Sequence, residues 1–249
     1  MTFQRYVALG DSFTEGVGDP APDLPNGVRG WADRFAADLA SRDPDVTYAN
    51  LAIRGRKLGP ILAEQLEPAI ALQPDLVTLH GGGNDLLRPR FDVDAMSEAY
   101  DAAVGRLTAA GAHVVLFTLF DSGPGGLYGP FRGRWALWSE QVRWIADRHG
   151  ATIVDYWRMH EYRDARMWDA DRLHMSPAGH QHMAIAVANA LGIDHALEPL
   201  PLVDPPAMTQ WRWVREHGGP WVKRRLTGTS SGDGLSPRWP ALVRPAARS

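Results

Sequence analysis

Cysteine is absent from this chain of 249 residues. Disulfides, a thiolate nucleophile and Cys-ligated zinc are therefore excluded, and secretion gains no support from the composition. Long apolar runs are missing too, since no segment reaches the ~18 residues of a membrane-spanning helix. The N-terminus has no basic region followed by an apolar stretch. Tyr6–Leu9 already reads as a strand leading into a serine of interest, so a cleavable leader would remove that region with it. The expectation is a cytoplasmic protein without stable membrane insertion. A strong charge is lacking as well: the formal net value is −3, which gives no whole-chain field drawing the protein to nucleic acid or membrane. The near-balance conceals a basic end. From Trp211 to Ser249 eight Lys/Arg stand against Glu216 and Asp233, a local +6 that leaves −9 elsewhere.

What is present reads as an α/β chain. With 45% apolar residues there is enough for one sizeable core plus an appendage. Candidate strands are Tyr6–Leu9, Val46–Leu51, Leu76–Leu79, His113–Leu119 and Thr152–Val154. Helical stretches alternate with them at Trp31–Ala40, Leu58–Ala71, Val93–Ala110 and Trp135–Arg148, and a last helix is expected over Pro177–Leu191. Such alternation predicts a parallel sheet of about five strands covered on both faces. Gly111 and Gly150 follow their helices as C-terminal stops, and Ser176-Pro177 opens the last helix as N-cap and first turn. After Asp194 the composition shifts: residues 195–249 hold eight of the nineteen prolines and four of the ten tryptophans. That divides the chain into a domain over 1–194 and an extension over 195–249. The extension is expected to pack through Trp211, Trp213 and Trp221 to about Leu226 and to be looser beyond.

Four separated blocks carry the chemistry. Ser12 follows the first strand in Gly10-Asp11-Ser12-Phe13; Asn50–Gly55 begins in the second strand and places Gly55 shortly after it, and Gly82-Gly83-Asn84-Asp85 follows the third; Asp171 and His174 precede the last helix. In a parallel sheet ligands gather at the carboxyl ends of the strands, so the first three blocks converge on one edge. A serine hydroxyl needs a base to remove its proton, and a histidine needs a carboxylate to set its tautomer; Asp171 and His174 fit those roles within one loop. Asn84 can donate its amide to an anion, and Gly55 can offer an unobstructed backbone N–H. Plainer roles remain open at this stage. Asp11 can be a helix N-cap, Asn84 or Asp85 can cap a following helix, and Arg54 and Arg56 read as solvated. Phe120–Gly133, with Leu127, Tyr128 and Phe131, follows the fourth strand and can wall the same edge. Aromatics at helical spacing, such as Trp135 and Trp138, read as core.

In their order and spacing these blocks resemble the SGNH branch of the GDSL esterase/lipase family over about residues 5–192, with Phe13 where a leucine is usual. The resemblance implies a three-layer flavodoxin-like fold and ester hydrolysis without metal or cofactor. Carried onto this sequence, it implies Ser12 as nucleophile, His174 as general base and then acid, and Asp171 as its orienting carboxylate. It also implies an oxyanion hole from the N–H groups of Ser12 and Gly55 and the Asn84 side chain, with Asp11, Tyr128 and Phe131 as candidate substrate contacts. The implied partner is a small-molecule ester carrying a short acyl group, no long apolar lid being visible; the oligomeric state is open. Three rival readings stand beside it. The same residues permit acyl transfer to an alcohol. Asp11, His80, Asn84, Asp85, His174, His180 and His182 could ligate metals in a phosphoesterase, although His180 and His182, two apart on a helix, point in different directions. The basic, Trp-bearing end could bind nucleic acid, although such arginines usually form a solvated face.

Overall fold

Five short runs of mostly apolar residues form the parallel part of one sheet: β1 (Arg5–Leu9), β2 (Thr47–Asn50), β3 (Leu76–Leu79), β4 (His113–Phe117) and β5 (Thr152–Val154). Both faces of these strands are covered, which explains why they read as continuous apolar runs and not as alternations. The protein is described by a computed structural model over residues 2–125, 128–219, 227 and 229–245. With β6 (Trp239–Val243) at one edge, the sheet order is β5-β4-β3-β1-β2-β6. Its first five strands follow the flavodoxin-like order, whose ligand crevice lies at the carboxyl ends of β1 and β3, where the crossovers diverge.

Side chains alternate across the strands into two cores. Tyr6 and Ala8 face a layer built from α2 (Trp31–Arg42) and α7 (Pro177–Ala190), among Trp31, Phe35, Phe117 and Met183. Val7 and Leu9 face the layer of α3 (Leu58–Ala71), α5 (Val93–Ala109) and α6 (Arg132–His149), among Ile61, Tyr100 and Trp138. Two buried tyrosine hydroxyls of the core are paired: Tyr6 with Thr78 at 2.9 Å, and Tyr100 donating to the Leu79 carbonyl at 2.8 Å. The caps act as expected, with the Ser176 hydroxyl accepting from Gly179 N at the start of α7 and Gly150 closing α6 in the left-handed region. Two four-residue helices, α1 (Ser12–Glu15) and α4 (Gly83–Leu86), follow β1 and β3 directly. Among the described residues no helix is long and apolar enough to cross a membrane.

The extension departs from expectation. Residues beyond Leu226 are not loose where they are described: Trp239–Val243 forms β6, which pairs antiparallel with β2, Asn50 opposite Trp239 and Tyr48 opposite Val243. The β2 edge would otherwise present unpaired backbone groups. Pro240 argues against a strand in the sequence, yet proline is tolerated on an edge. The tryptophans also divide. Trp213, on α8 (Gln210–Trp213), is buried and donates to the Ala170 carbonyl at 3.1 Å, whereas Trp211 is 77% exposed. Trp221 and Leu226 lie outside the described residues.

One buried histidine ties α7 to the start of α2 and to the loop after α1. His180 is fully buried on α7; its Nδ1 accepts from Trp31 N at 3.2 Å and its Nε2–H donates to the Val17 carbonyl at 3.0 Å. Those partners require the neutral ring, and burial pushes its pKa down from 6.5 to about 3. The unfolded chain therefore binds one more proton than the folded one between these values. Stability is complete above pH 6.5 and falls as the pH drops toward 3, by about 1.4 kcal/mol per unit at most from this group. A series of melting temperatures from pH 7 to 4 is expected to decline, and His180→Gln to flatten part of the decline; an identical slope in the variant would contradict the assignment.

Candidate active site

Ser12 is held where β1 ends and α1 begins. The Gly10 peptide is gripped on both sides by the buried Gln65 amide, which accepts from Gly10 N at 2.8 Å and donates to Gly10 O at 2.9 Å. Asp11 caps α1, its Oδ1 accepting from Phe13 N at 3.1 Å. Ser12 thus starts a helical turn whose first N–H groups are unspent by the helix itself, a setting that suits a developing negative charge.

Across the crevice, β3 delivers Gly82, Gly83 and Asn84. Gly82 has φ +94°, and a Cβ there would lie 2.7 Å from the Trp138 ring, so only glycine fits. Trp138 is fully buried and donates to the Gly81 carbonyl at 3.0 Å. The Asn84 amide donates to Asp11 Oδ2 and to the Arg56 carbonyl, both at 3.0 Å. Asp85 turns away and accepts from Leu58 N at 2.9 Å, capping the start of α3.

The loop before α7 brings His174 and Asp171 together. His174 Nδ1–H donates to Asp171 Oδ2 at 2.5 Å, while Asp171 Oδ1 accepts from the backbone N–H groups of Leu173 and His174, both at 2.9 Å. Burial would raise the Asp171 pKa, but the hydrogen bonds and charge of His174 and the two N–H groups outweigh it and bring it to about 2. Its carboxylate is therefore ionised at neutral pH. The loop turns through Arg172, a non-glycine residue at φ +59°, whose guanidinium lies 5.1 Å from the Trp213 ring centroid.

Ser12, Asn84 and His174 line one small cavity of about 90 Å³, with Asp11 and His80 beside them and Leu119, Phe120, Trp135, Tyr156 and Trp168 as apolar walls. His80 packs on Phe13 at 4.2 Å between ring centroids. A larger cavity of about 670 Å³ adjoins it, sharing Phe120 and Trp168.

Several expectations need adjusting. Trp135, read as core, is buried but also walls the small cavity; Tyr128 lines the larger cavity, and Phe131 lies against Trp135 at 6.4 Å. Leu127 lies outside the described residues. Asp11 lines the small cavity but has both carboxylate oxygens engaged, one in the α1 cap and one by Asn84. Gly55 is on the turn after β2, outside the cavity lining, with its neighbours anchored to the site. Arg54 and Arg56 are not simply solvated: Arg54 pairs with the fully buried Glu15 carboxylate and Arg56 with Glu64. Glu15 and Gln65 were missed because their signal is a tertiary contact, not a local pattern. Trp168 gave a weak local signal, three residues before Asp171. The candidate metal ligands divide: Asp11, His80, Asn84 and His174 line the small cavity, whereas Asp85 accepts from Leu58 N, His180 is spent on backbone groups and His182 faces Glu161 at 4.0 Å. Among the described residues no group of three or more His, Asp or Glu could hold a metal ion.

The fold and site define an α/β protein whose polar cluster sits at the carboxyl edge of a flavodoxin-like sheet. The model of the GDSL-like lipase/acylhydrolase family matches residues 8–182, and the chain belongs to that family. A lipase of Streptomyces rimosus is 30% identical over 110 residues, 44% of this chain; the match spans only 41% of the length of that curated relative. Among solved structures, an alpha/beta hydrolase enzyme from the metagenome of Lake Arreo is 24% identical, with a TM-score of 0.64 over 76% of this chain and 95% of that one. An acetylxylan esterase from Geobacillus stearothermophilus is 21% identical, with a TM-score of 0.63 over 77% and 95%. At these identities the likeness is one of fold.

Proposed function

We propose that this protein is a metal-independent serine hydrolase of carboxylic esters, working through an acyl-enzyme on Ser12. The observation that carries the reading is the Asp171–His174 pair, closed at 2.5 Å on Nδ1, beside the same cavity as Ser12 and Asn84. With Nδ1–H committed to the carboxylate, Nε2 is left as the basic nitrogen. It takes the Ser12 proton as the hydroxyl attacks the ester carbonyl and returns it to the leaving alcohol. Asp171 stabilises the imidazolium that forms between these steps. The tetrahedral oxyanion takes hydrogen bonds from the Ser12 and Gly55 N–H groups and the Asn84 amide, which turns from its resting partners toward the new charge. Water then enters by the same route and releases the acid. In the acetylxylan esterase, catalytic mutants replace a serine, an aspartate and a histidine, the last two three positions apart as Asp171 and His174 are.

The small cavity suits a short acyl group. Its volume of about 90 Å³ is far below the roughly 300 Å³ at which drug-sized sites begin. The larger cavity beside it then receives the alcohol portion, with Tyr128, Asp121 and Arg163 among its walls. Were each added acyl methylene buried, it would contribute about 0.8 kcal/mol, or roughly fourfold in kcat/KM. Here the added carbons find no space. A p-nitrophenyl ester series is expected to peak at acetate or butyrate and to fall at least about tenfold by octanoate. A steady rise to octanoate would contradict the short-acyl reading. Product analysis with added alcohols in the same assay separates hydrolysis from acyl transfer.

A further inference from the structure

Gly55 sits on a turn that belongs to no helix or strand, at φ +75°. Both of its neighbours are tied to the site. Arg54 N donates to Glu15 Oε2 at 2.6 Å and its guanidinium grips the same carboxylate, while the Arg56 carbonyl accepts from Asn84. The outer side of this turn is covered by the C-terminal segment. A Cβ on Gly55 would lie 2.1 Å from Ser230 Oγ, and a Cβ on Gly232 would lie 2.1 Å from the Arg54 carbonyl oxygen. Asp233 closes the covering turn by accepting from Ser230 N at 2.7 Å and faces Arg56 at 3.7 Å. A few residues on, Arg238 is buried to 2% exposure. It donates to the Pro25 carbonyl at 3.0 Å, to the Glu15 carbonyl at 3.1 Å and to Asp33 Oδ2 at 2.5 Å. Glu15 is the last residue of α1, the helix that Ser12 begins.

We propose that residues 229–238 form a strap that sets the position of the Gly55 N–H relative to Ser12, with Arg238 as its positioning residue. The inference rests on the serine-hydrolase reading above. Arg238 fixes one end of the strap to the helix of the nucleophile, and Ser230 and Gly232 press its other end on the turn of the oxyanion donor. Donor and nucleophile are thereby referenced to one rigid frame through the buried Glu15. Such referencing matters because a donor must meet the oxyanion at hydrogen-bond distance, and a displacement of about 1 Å can cost on the order of 100-fold. The extension, which the family match over residues 8–182 does not reach, is thus part of the catalytic geometry without touching substrate.

The test uses the full chain with p-nitrophenyl acetate as substrate, comparing wild type, Ser12→Ala, Arg238→Met, Arg238→Lys and Gly232→Ala. Gly232 is itself buried in a turn whose other residues, Ser231, Asp233 and Gly234, are exposed, and an added methyl would press on the Arg54 carbonyl oxygen at 2.1 Å and on the Ile53 side chain at 2.9 Å. In both Arg238→Met and Gly232→Ala, kcat is expected to fall about 10- to 100-fold. KM and the shape of the pH profile should be retained, because the acyl cavity and the His174–Asp171 pair are untouched. Arg238→Lys should recover part of the loss. Should neither Arg238→Met nor Gly232→Ala fold, Asp233→Ala, which removes an exposed side chain that closes the covering turn, decides by the same loss of kcat, an unchanged kcat overturning the strap. Ser12-dependent turnover in wild type together with an unchanged kcat in a folded Gly232→Ala would overturn the strap alone. Absence of Ser12-dependent turnover in wild type would overturn the hydrolase reading, and the strap with it.

Discussion

Replacing Ser12 by alanine is expected to lower kcat for ester hydrolysis by about 10⁶-fold, the loss seen when a serine hydrolase loses its nucleophile. The size follows from what remains. Without Oγ no acyl-enzyme forms, and the residual rate is that of water attacking an ester held in the oxyanion site. The fold should be unaffected. Position 12 is the first residue of α1, whose cap is supplied by the Asp11 side chain and whose strand end is held by Gln65. An unchanged melting temperature with lost turnover is therefore the expected pair of results.

Asp171→Asn should be the next most damaging change, costing about 10⁴-fold in kcat with the fold intact. An asparagine keeps one oxygen, which can still accept from the N–H groups of Leu173 and His174, so the loop is retained. Its NH₂ then faces His174 Nδ1, which can only accept from it. The imidazole is driven to the tautomer with its proton on Nε2, the nitrogen that must take the Ser12 proton. The variant also lacks the carboxylate that is held ionised in wild type, with a pKa of about 2, and so cannot balance an imidazolium. Parallel measurements of kcat at pH 7.5 and of thermal unfolding check this; a loss under tenfold in a folded variant would remove Asp171 from the mechanism.

The parallel sheet was legible because its signals are local. Strand runs such as Leu76–Leu79, glycine stops such as Gly150 and the Ser176-Pro177 cap each announce themselves within a few residues. Family membership was legible for a related reason, since four short blocks each follow a strand or precede a helix. What escaped notice depends on partners far away in the chain. Gln65 acts on Gly10 across 55 positions, Arg54 looked solvated until buried Glu15 met it, and Arg238 reaches Glu15 across 223 positions. A lone buried arginine is indistinguishable by sequence from the exposed ones around it, and Pro240 concealed the edge strand beside it. Among the aromatics near the cavity, Phe131 stands out in the sequence but lies against Trp135, whereas Trp168, which walls the cavity, stands inside a segment without periodicity.

The central claim is that Ser12 becomes covalently acylated, and intact-protein mass spectrometry with peptide mapping tests it most directly. Wild-type protein mixed briefly with p-nitrophenyl acetate and quenched in acid should carry one acetyl group on the peptide containing Ser12. The Ser12→Ala protein should carry none and release no p-nitrophenol above background. Ester turnover without any adduct at Ser12, persisting in Ser12→Ala, would contradict the account.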